Sequence, residues 1–150
     1  MKPLIAIVGP TALAKSKLAL NLAQGFDGEI VSADSRQVYR YMDIGTAKPS
    51  LEERSLVRHH VIDVVDPDDD FSLALFHQLA NQALKAISRG GKIPFLVGGS
   101  GLYIWSLLEG WSLPQVPPHP EFRRNLQARA QAEGSDVLYE ELQGLDPVAA

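Results

Sequence analysis

The chain has 150 residues, a formal net charge of −4 and no cysteine. That length favours one principal domain. The missing thiols exclude disulfides and thiolate metal sites, and the acidic balance argues against a generic nucleic-acid binder. No apolar run approaches the roughly 20 residues that a membrane-spanning helix needs. Met1-Lys2-Pro3 leads straight into a strand pattern, so neither a signal peptide nor a membrane role is expected, and a cytoplasmic protein is.

Leu4 to Val8 is a continuous apolar run with β-branched residues, which predicts a strand buried on both faces of a parallel sheet. A helix follows over Lys17–Gln24, with Leu18, Ala19, Leu22 and Ala23 on one face and Gly25 as its stop. Gly28–Ala33 reads as a second strand that ends at Asp34. Ser35 to Lys48 has no clear period and reads as a loop with one helical turn. Leu51–Arg54 is a short helix, and His59–Val65 is the third strand. Asp66-Pro67-Asp68-Asp69-Asp70 is a turn. The clearest helix is Ser72–Arg89, whose Leu73, Phe76, Leu79, Ala80, Ala83, Leu84 and Ile87 form a stripe at spacings of three and four. Pro94–Val97 is a strand, and Leu102–Glu109 a helix. Alternating strands and helices imply an α/β fold with a parallel sheet. Four prolines between Trp111 and Pro120 mark a stiff connector. Helices over Pro120–Glu133 and Asp136–Gln143 complete the chain. Two short helices do not make a core, so the sequence is expected to continue.

One stretch carries chemistry at once: Gly9-Pro10-Thr11-Ala12-Leu13-Ala14-Lys15-Ser16. A strand, a small-residue loop and a helix opening with Lys-Ser form the setting of a phosphate-binding loop. The first amides of a helix have no intrahelical acceptor and point at a bound anion. Lys15 adds a point charge, and the Ser16 hydroxyl would face a magnesium ion. The loop formula calls for glycine before the lysine, and Ala14 stands there. A left-handed backbone at that position would cost alanine roughly 1–2 kcal/mol. Asp34, at the end of the second strand, sits where open α/β sheets bind ligands. It could equally be a turn-forming aspartate. His59 and His60 lack a second ligand pair at metal spacing and read as structural. Trp105 and Trp111 read as packing residues.

Five stretches together resemble the N-terminal half of the tRNA dimethylallyltransferase (tRNA isopentenyltransferase) family. They are Gly9–Ala12 with Lys15-Ser16; Ser32-Ala33-Asp34-Ser35-Arg36-Gln37-Val38-Tyr39; Met42-Asp43-Ile44-Gly45-Thr46-Ala47-Lys48-Pro49; His59 to Pro67; and Gly91 to Tyr103. The resemblance implies a P-loop kinase-like, three-layer α/β core with helices on both faces over residues 1–110. The start of a helical tRNA-binding insertion would occupy 111–150. It also implies Mg2+-dependent transfer of a dimethylallyl group from its diphosphate to the exocyclic amine of an adenosine beside the tRNA anticodon.

On this resemblance, Gly9 to Ser16 bind the diphosphate, and Lys15 and Ser16 take part in catalysis with Ser16 on the metal. Asp34 accepts the amine proton and holds the adenine edge. Ser35, Arg36, Gln37, Ser100 and Arg123 touch the tRNA anticodon stem-loop, and the enzyme is expected to be a monomer. Plainer readings stand beside these. Ser35 to Gln37 can be exposed loop residues, Ser100 part of a tight glycine turn, and Arg123 one of several arginines on a solvated helix face. Lys48 and Thr46 either line the site or pack. Two other functions use the same residues. A P-loop small-molecule kinase would use Asp34 to activate a hydroxyl and would bind ATP. A non-catalytic homologue would keep the fold and lose diphosphate affinity through Ala14 and Leu13.

Overall fold

A computed structural model describes residues 3–10, 13–113, 116 and 118–150. Thr11 and Ala12 of the phosphate loop, and Pro114 and Pro117 of the connector, lie outside the described residues. The chain divides into two compact units, Met1–Pro114 and Gln115–Ala150.

In the first unit, β1 (Ile5–Val8), β2 (Gly28–Ala33), β3 (His59–His60) and β4 (Ile93–Gly98) form one parallel sheet in the order β1-β4-β2-β3. Helices cover both of its faces, because alternate residues of a strand point to opposite sides. Ile30 of β2 and Phe95 and Val97 of β4 pack with Ala19, Leu20 and Ala23 of α1 (Lys15–Gly25). Val31, Ala33 and Leu96 turn the other way, onto Phe76, Ala80, Ala83 and Ile87 of α3 (Leu73–Arg89). Tyr103 and Ile104 of α4 (Gly101–Leu108) join that second face. The Tyr103 ring stacks on Phe76 with centroids 4.2 Å apart. The three-layer parallel α/β expectation therefore holds. The helical stripe over 72–89 buries Phe76, Ala80, Ala83 and Ile87 and leaves Leu73, Leu79 and Leu84 half-buried, and Ser72 caps the helix by accepting from Leu75 N. The short α2 (Leu51–Leu56) opens with a reciprocal capping box between Ser50 and Glu53.

Three expectations need correcting. The run Leu4 to Val8 is not buried on both faces. Strand β1 pairs only with β4 among the described residues, and Val8 is 53% exposed. The third strand is two residues long rather than seven. The ladder stops at the pair Val31–His60 although β2 runs on to Ala33, because the next residue, Val61, leaves the extended conformation. The chain turns instead through left-handed Val61 (φ 61) and Asp63 (φ 54). The amides of Asp63, Val64 and Val65 then bond to the carbonyls of Gln37 and Val38. Trp105 is more than half exposed on α4, not a packing residue.

In the second unit, α5 (Pro120–Glu133) and α6 (Ser135–Leu145) contain no buried residue. Pro120 stands in the first turn of α5, where its missing amide costs nothing. Arg129 ties the pair together through Glu141 and also reaches Glu133.

Candidate functional site

The loops that leave β1, β2 and β4 meet at one end of the sheet. Gly98 makes the meeting close. A Cβ there would overlap the Ala33 carbonyl, so no larger residue fits between the ends of β2 and β4. Ser100 N donates to Ala33 O at 3.2 Å, and Ser35 N donates to Ser100 Oγ at 3.2 Å. The loop after β2 and the loop after β4 are thus stitched together. Gly99 lies against the Gly9 carbonyl of the loop after β1.

These loops surround a cavity of about 380 Å³. One wall is Leu13, Ala14, Lys15 and Ser16, facing Asp34, Arg36 and Gln37. Gly45, Thr46 and Ala47 form a further wall, and Gly98 and Gly99 also line it. Ala14 adopts the left-handed conformation (φ 53, ψ 23) immediately before α1 and gives that helix no side-chain cap. Among the described residues the first amides of α1 therefore have no side-chain cap, and they are open to an anion. Lys15 Nζ donates to Pro10 O at 2.6 Å, folding the side chain across its own loop. Ser16 is exposed beside it on the cavity wall.

Asp34 shows how one carboxylate serves two ends. Its Oδ1 accepts from Arg36 N at 2.8 Å and Gln37 N at 3.4 Å, which closes the turn after β2. Oδ2 takes no hydrogen bond from the described residues, and the side chain lines the cavity. The carboxylate that closes the turn thus also faces the cavity. Gln37 differs from its expectation as an exposed loop residue: it is buried. Its Oε1 accepts from Ser32 Oγ at 3.0 Å, and its Nε2 donates to Thr46 O and Ala47 O at 3.3 and 3.1 Å. Arg36 stays exposed on the rim. Ser100 accepts the Ser35 amide. Arg123 is exposed on α5 of the second unit.

His59 also lines the cavity, which its reading as a purely structural residue missed. Burial pushes its imidazole below the ordinary 6.5, despite the bond from Nδ1 to Val57 O at 2.8 Å. A carbonyl can only accept, so Nδ1 carries the hydrogen and Nε2 is the acceptor of the neutral ring. Burial likewise pushes the Tyr103 phenol up, and the nearby charges of Tyr39 and Asp34 add to the effect.

A family model described as IPP transferase matches residues 37–150. The chain belongs to the IPP transferase family. It is 58% identical over 150 residues to the tRNA dimethylallyltransferase of Roseiflexus castenholzii, covering all of this chain and 49% of that protein. The tRNA dimethylallyltransferase of Thermomicrobium roseum is 54% identical over 149 residues, covering 99% of this chain and 45% of its own length. The chain thus spans about half the length of the curated relatives it matches. Among solved structures, the full-length tRNA isopentenylpyrophosphate transferase of Bacillus halodurans superposes with a TM-score of 0.73. It is 43% identical, over 99% of this chain and 49% of that one. A eukaryotic dimethylallyltransferase solved acting on tRNA gives a TM-score of 0.78 at 33% identity, over 98% and 36% of the two chains. These are the proteins that the five sequence stretches resemble. No helix among the described residues of this IPP transferase family member is long and apolar enough to cross a membrane.

Sequence reasoning also missed the polar knot at the opposite end of the sheet. Glu29 is buried at the start of β2 and meets His60 Nε2 at 2.6 Å and Lys92 Nζ at 3.1 Å. Burial alone would raise its carboxyl, but the bonds and charges of His60 and Lys92 hold it below the ordinary carboxylate value. The knot joins β2, β3 and the turn before β4. The only sequence signal was a glutamate in an otherwise apolar strand.

Proposed function

We propose that the cavity is a prenyl diphosphate site and that the whole protein transfers a dimethylallyl group to tRNA. The acceptor is the exocyclic amine of an adenosine beside the anticodon. The observation that carries this reading is the juxtaposition of Lys15 and Ser16 with Asp34 across one cavity. The names of the relatives support it, since this chain matches tRNA dimethylallyltransferases over its whole length.

The chemistry follows from that juxtaposition. The carbon–oxygen bond to diphosphate breaks, a carbon–nitrogen bond to the adenine amine forms, and the amine loses a proton. Charge grows on the departing diphosphate. The free amides at the start of α1 and the Lys15 ammonium lie where that charge would be stabilised. Asp34 Oδ2, left open by the turn it caps, would take the proton.

A magnesium ion fits the oxygen of Ser16, a hard donor of the kind that ion prefers. Among the described residues no group of three His, Asp or Glu could hold a metal. The ion would therefore be shared with the oxygens of the diphosphate, whose charge it would offset. Arg36 on the rim and Ser100 on the stitched loops would contact the tRNA. In the second unit Arg123 offers a phosphate contact. We read this unit as the start of a helical tRNA-binding insertion, and the enzyme as a cytoplasmic monomer.

The test is a chimera in which these 150 residues replace the matching segment of the Roseiflexus castenholzii relative. Supplied with Mg2+, dimethylallyl diphosphate and tRNA, it should form prenylated adenosine, detected by mass spectrometry of nucleosides. Asp34→Asn should lower the rate by about a hundredfold or more, the usual scale of a lost general base. ATP consumption without prenylated tRNA would instead identify a small-molecule kinase.

A further inference from the structure

Lys48 is almost wholly buried, its side chain only 3% exposed, yet Asp43, Gly45 and Ala47 of the same loop are exposed. Ile44, at the tip of that loop, is 98% exposed. The Lys48 ammonium has three N–H donors and uses all of them. They go to Tyr39 O at 2.9 Å, Asp43 Oδ1 at 2.8 Å and Asp63 Oδ1 at 2.7 Å. The other oxygen of Asp63 accepts from Arg54 at 2.7 Å. Burial pushes the lysine down and the Asp63 carboxyl up. The pairing outweighs both effects, so Lys48 sits above its ordinary value and Asp63 below.

The same loop is gripped from its other side by Gln37. Thr46 O and Ala47 O can only accept, so the orientation of the Gln37 amide is fixed by the bonds it makes. Thr46 Oγ1 closes the loop internally on Met42 O at 2.8 Å. Within it, Gly45 (φ 78) and Ala47 (φ 49) are left-handed. An alanine in that region persists only where its surroundings hold it.

The two grips face different cavities. Gln37, Gly45, Thr46 and Ala47 line the cavity that holds Lys15 and Asp34. Lys48, Asp43, Asp63 and Arg54 instead line a separate cavity of about 610 Å³. Pro49 lines both, so the loop is the partition between them. Lys48 can influence a ligand beside Lys15 only through this partition.

We propose that Lys48 is a positioning residue: from the far side, it fixes the 43–48 loop as the rigid wall against which the diphosphate ligand is held. The proposal rests on the reading of the Lys15 cavity as a diphosphate site. It makes the unusual Lys48–Asp63–Arg54 knot part of the binding machinery without any contact to ligand. The wall is built before the ligand arrives.

The test uses the 150-residue chain, inorganic diphosphate and Mg2+, at a temperature where every variant is fully folded. Calorimetric titration should show Lys48→Met binding diphosphate about tenfold more weakly than wild type, the scale of couplings carried through a packed element. Hydrogen exchange at residues 43–48 should speed up in parallel. Arg54→Met, which loosens Asp63 but leaves Lys48 in place, should weaken binding about threefold, and it decides the matter if Lys48→Met fails to fold. Affinity within twofold of wild type in the folded variants overturns the proposal, whether or not exchange changes. If wild type itself binds no diphosphate, the diphosphate reading fails. Exchange alone then judges the wall, and unchanged rates at 43–48 in Lys48→Met overturn it.

Discussion

The two loops that face each other across the cavity are built on opposite plans. The 43–48 loop is held from both sides, by the Gln37 amide and by the Lys48–Asp63–Arg54 knot, with Thr46 closing it internally. The phosphate loop has one side-chain tie among its described residues, Lys15 to Pro10 O, and a left-handed alanine where glycine would be unstrained. One wall is finished by the protein. The other leaves its helix amides without side-chain partners, and an anion is the group that would complete them. A site that must recognise a strongly charged group and also orient a small apolar one benefits from this division. Rigid polar bonding fixes shape, and open amides supply charge complementarity.

The sharpest way to break the comparison is to disturb the sheet end on which the cavity is built. Gly98→Ala forces a methyl group into the Ala33 carbonyl, and backbone cannot yield cheaply there. We expect a loss of about 3 kcal/mol or more, read by chemical denaturation. A smaller effect isolates the open loop. Ala14→Gly keeps the left-handed turn and removes its cost, so stability should rise by roughly 1 kcal/mol and diphosphate affinity should increase. Unchanged values would mean that the loop bears no strain at Ala14.

The smallest effect is acid sensitivity, to which the Lys48–Asp63–Arg54 knot contributes through Asp63 and the rest of the sheet through His59 and Glu29. His59, Glu29 and Asp63 all have folded values below their ordinary 6.5, 4.5 and 3.8. Each therefore binds fewer protons folded than unfolded. Their stabilisation is complete above those ordinary values and is lost as pH falls through the lower, folded ones. Thermal midpoints should start to drop below about pH 6.5 and fall more steeply below about 4.5. Lys48→Met should flatten the most acidic part of that curve, because Asp63 loses its main partner.

Much of this was legible from residue order alone. The helical stripe of α3 and the apolar strands fixed the layers, since period and burial follow from the same geometry. The phosphate loop, Asp34 and the glycines after β4 were recognisable because each needs a particular residue at a particular place. Ala14 was even legible as a strained position. The false third strand shows the limit. Val61 to Val65 has the composition of a strand, but its left-handed Val61 and Asp63 turn it off β2 and onto the carbonyls of Gln37 and Val38, which local composition does not reveal. Lys48, Gln37 and Glu29 illustrate the same point for polar groups. Their partners, Thr46 for Gln37, Asp63 for Lys48 and His60 for Glu29, lie 9, 15 and 31 positions away in sequence, and nothing local reveals which side chains a fold will bring together.

The central claim is that the ends of β1, β2 and β4 form a diphosphate site charged by Lys15. Titration of wild type and Lys15→Ala with dimethylallyl diphosphate in Mg2+ tests it most directly. The account predicts binding by wild type and a loss of about tenfold or more in the variant, the scale of one charge-assisted contact. Equal affinity of the two proteins, or no binding by wild type, would contradict it.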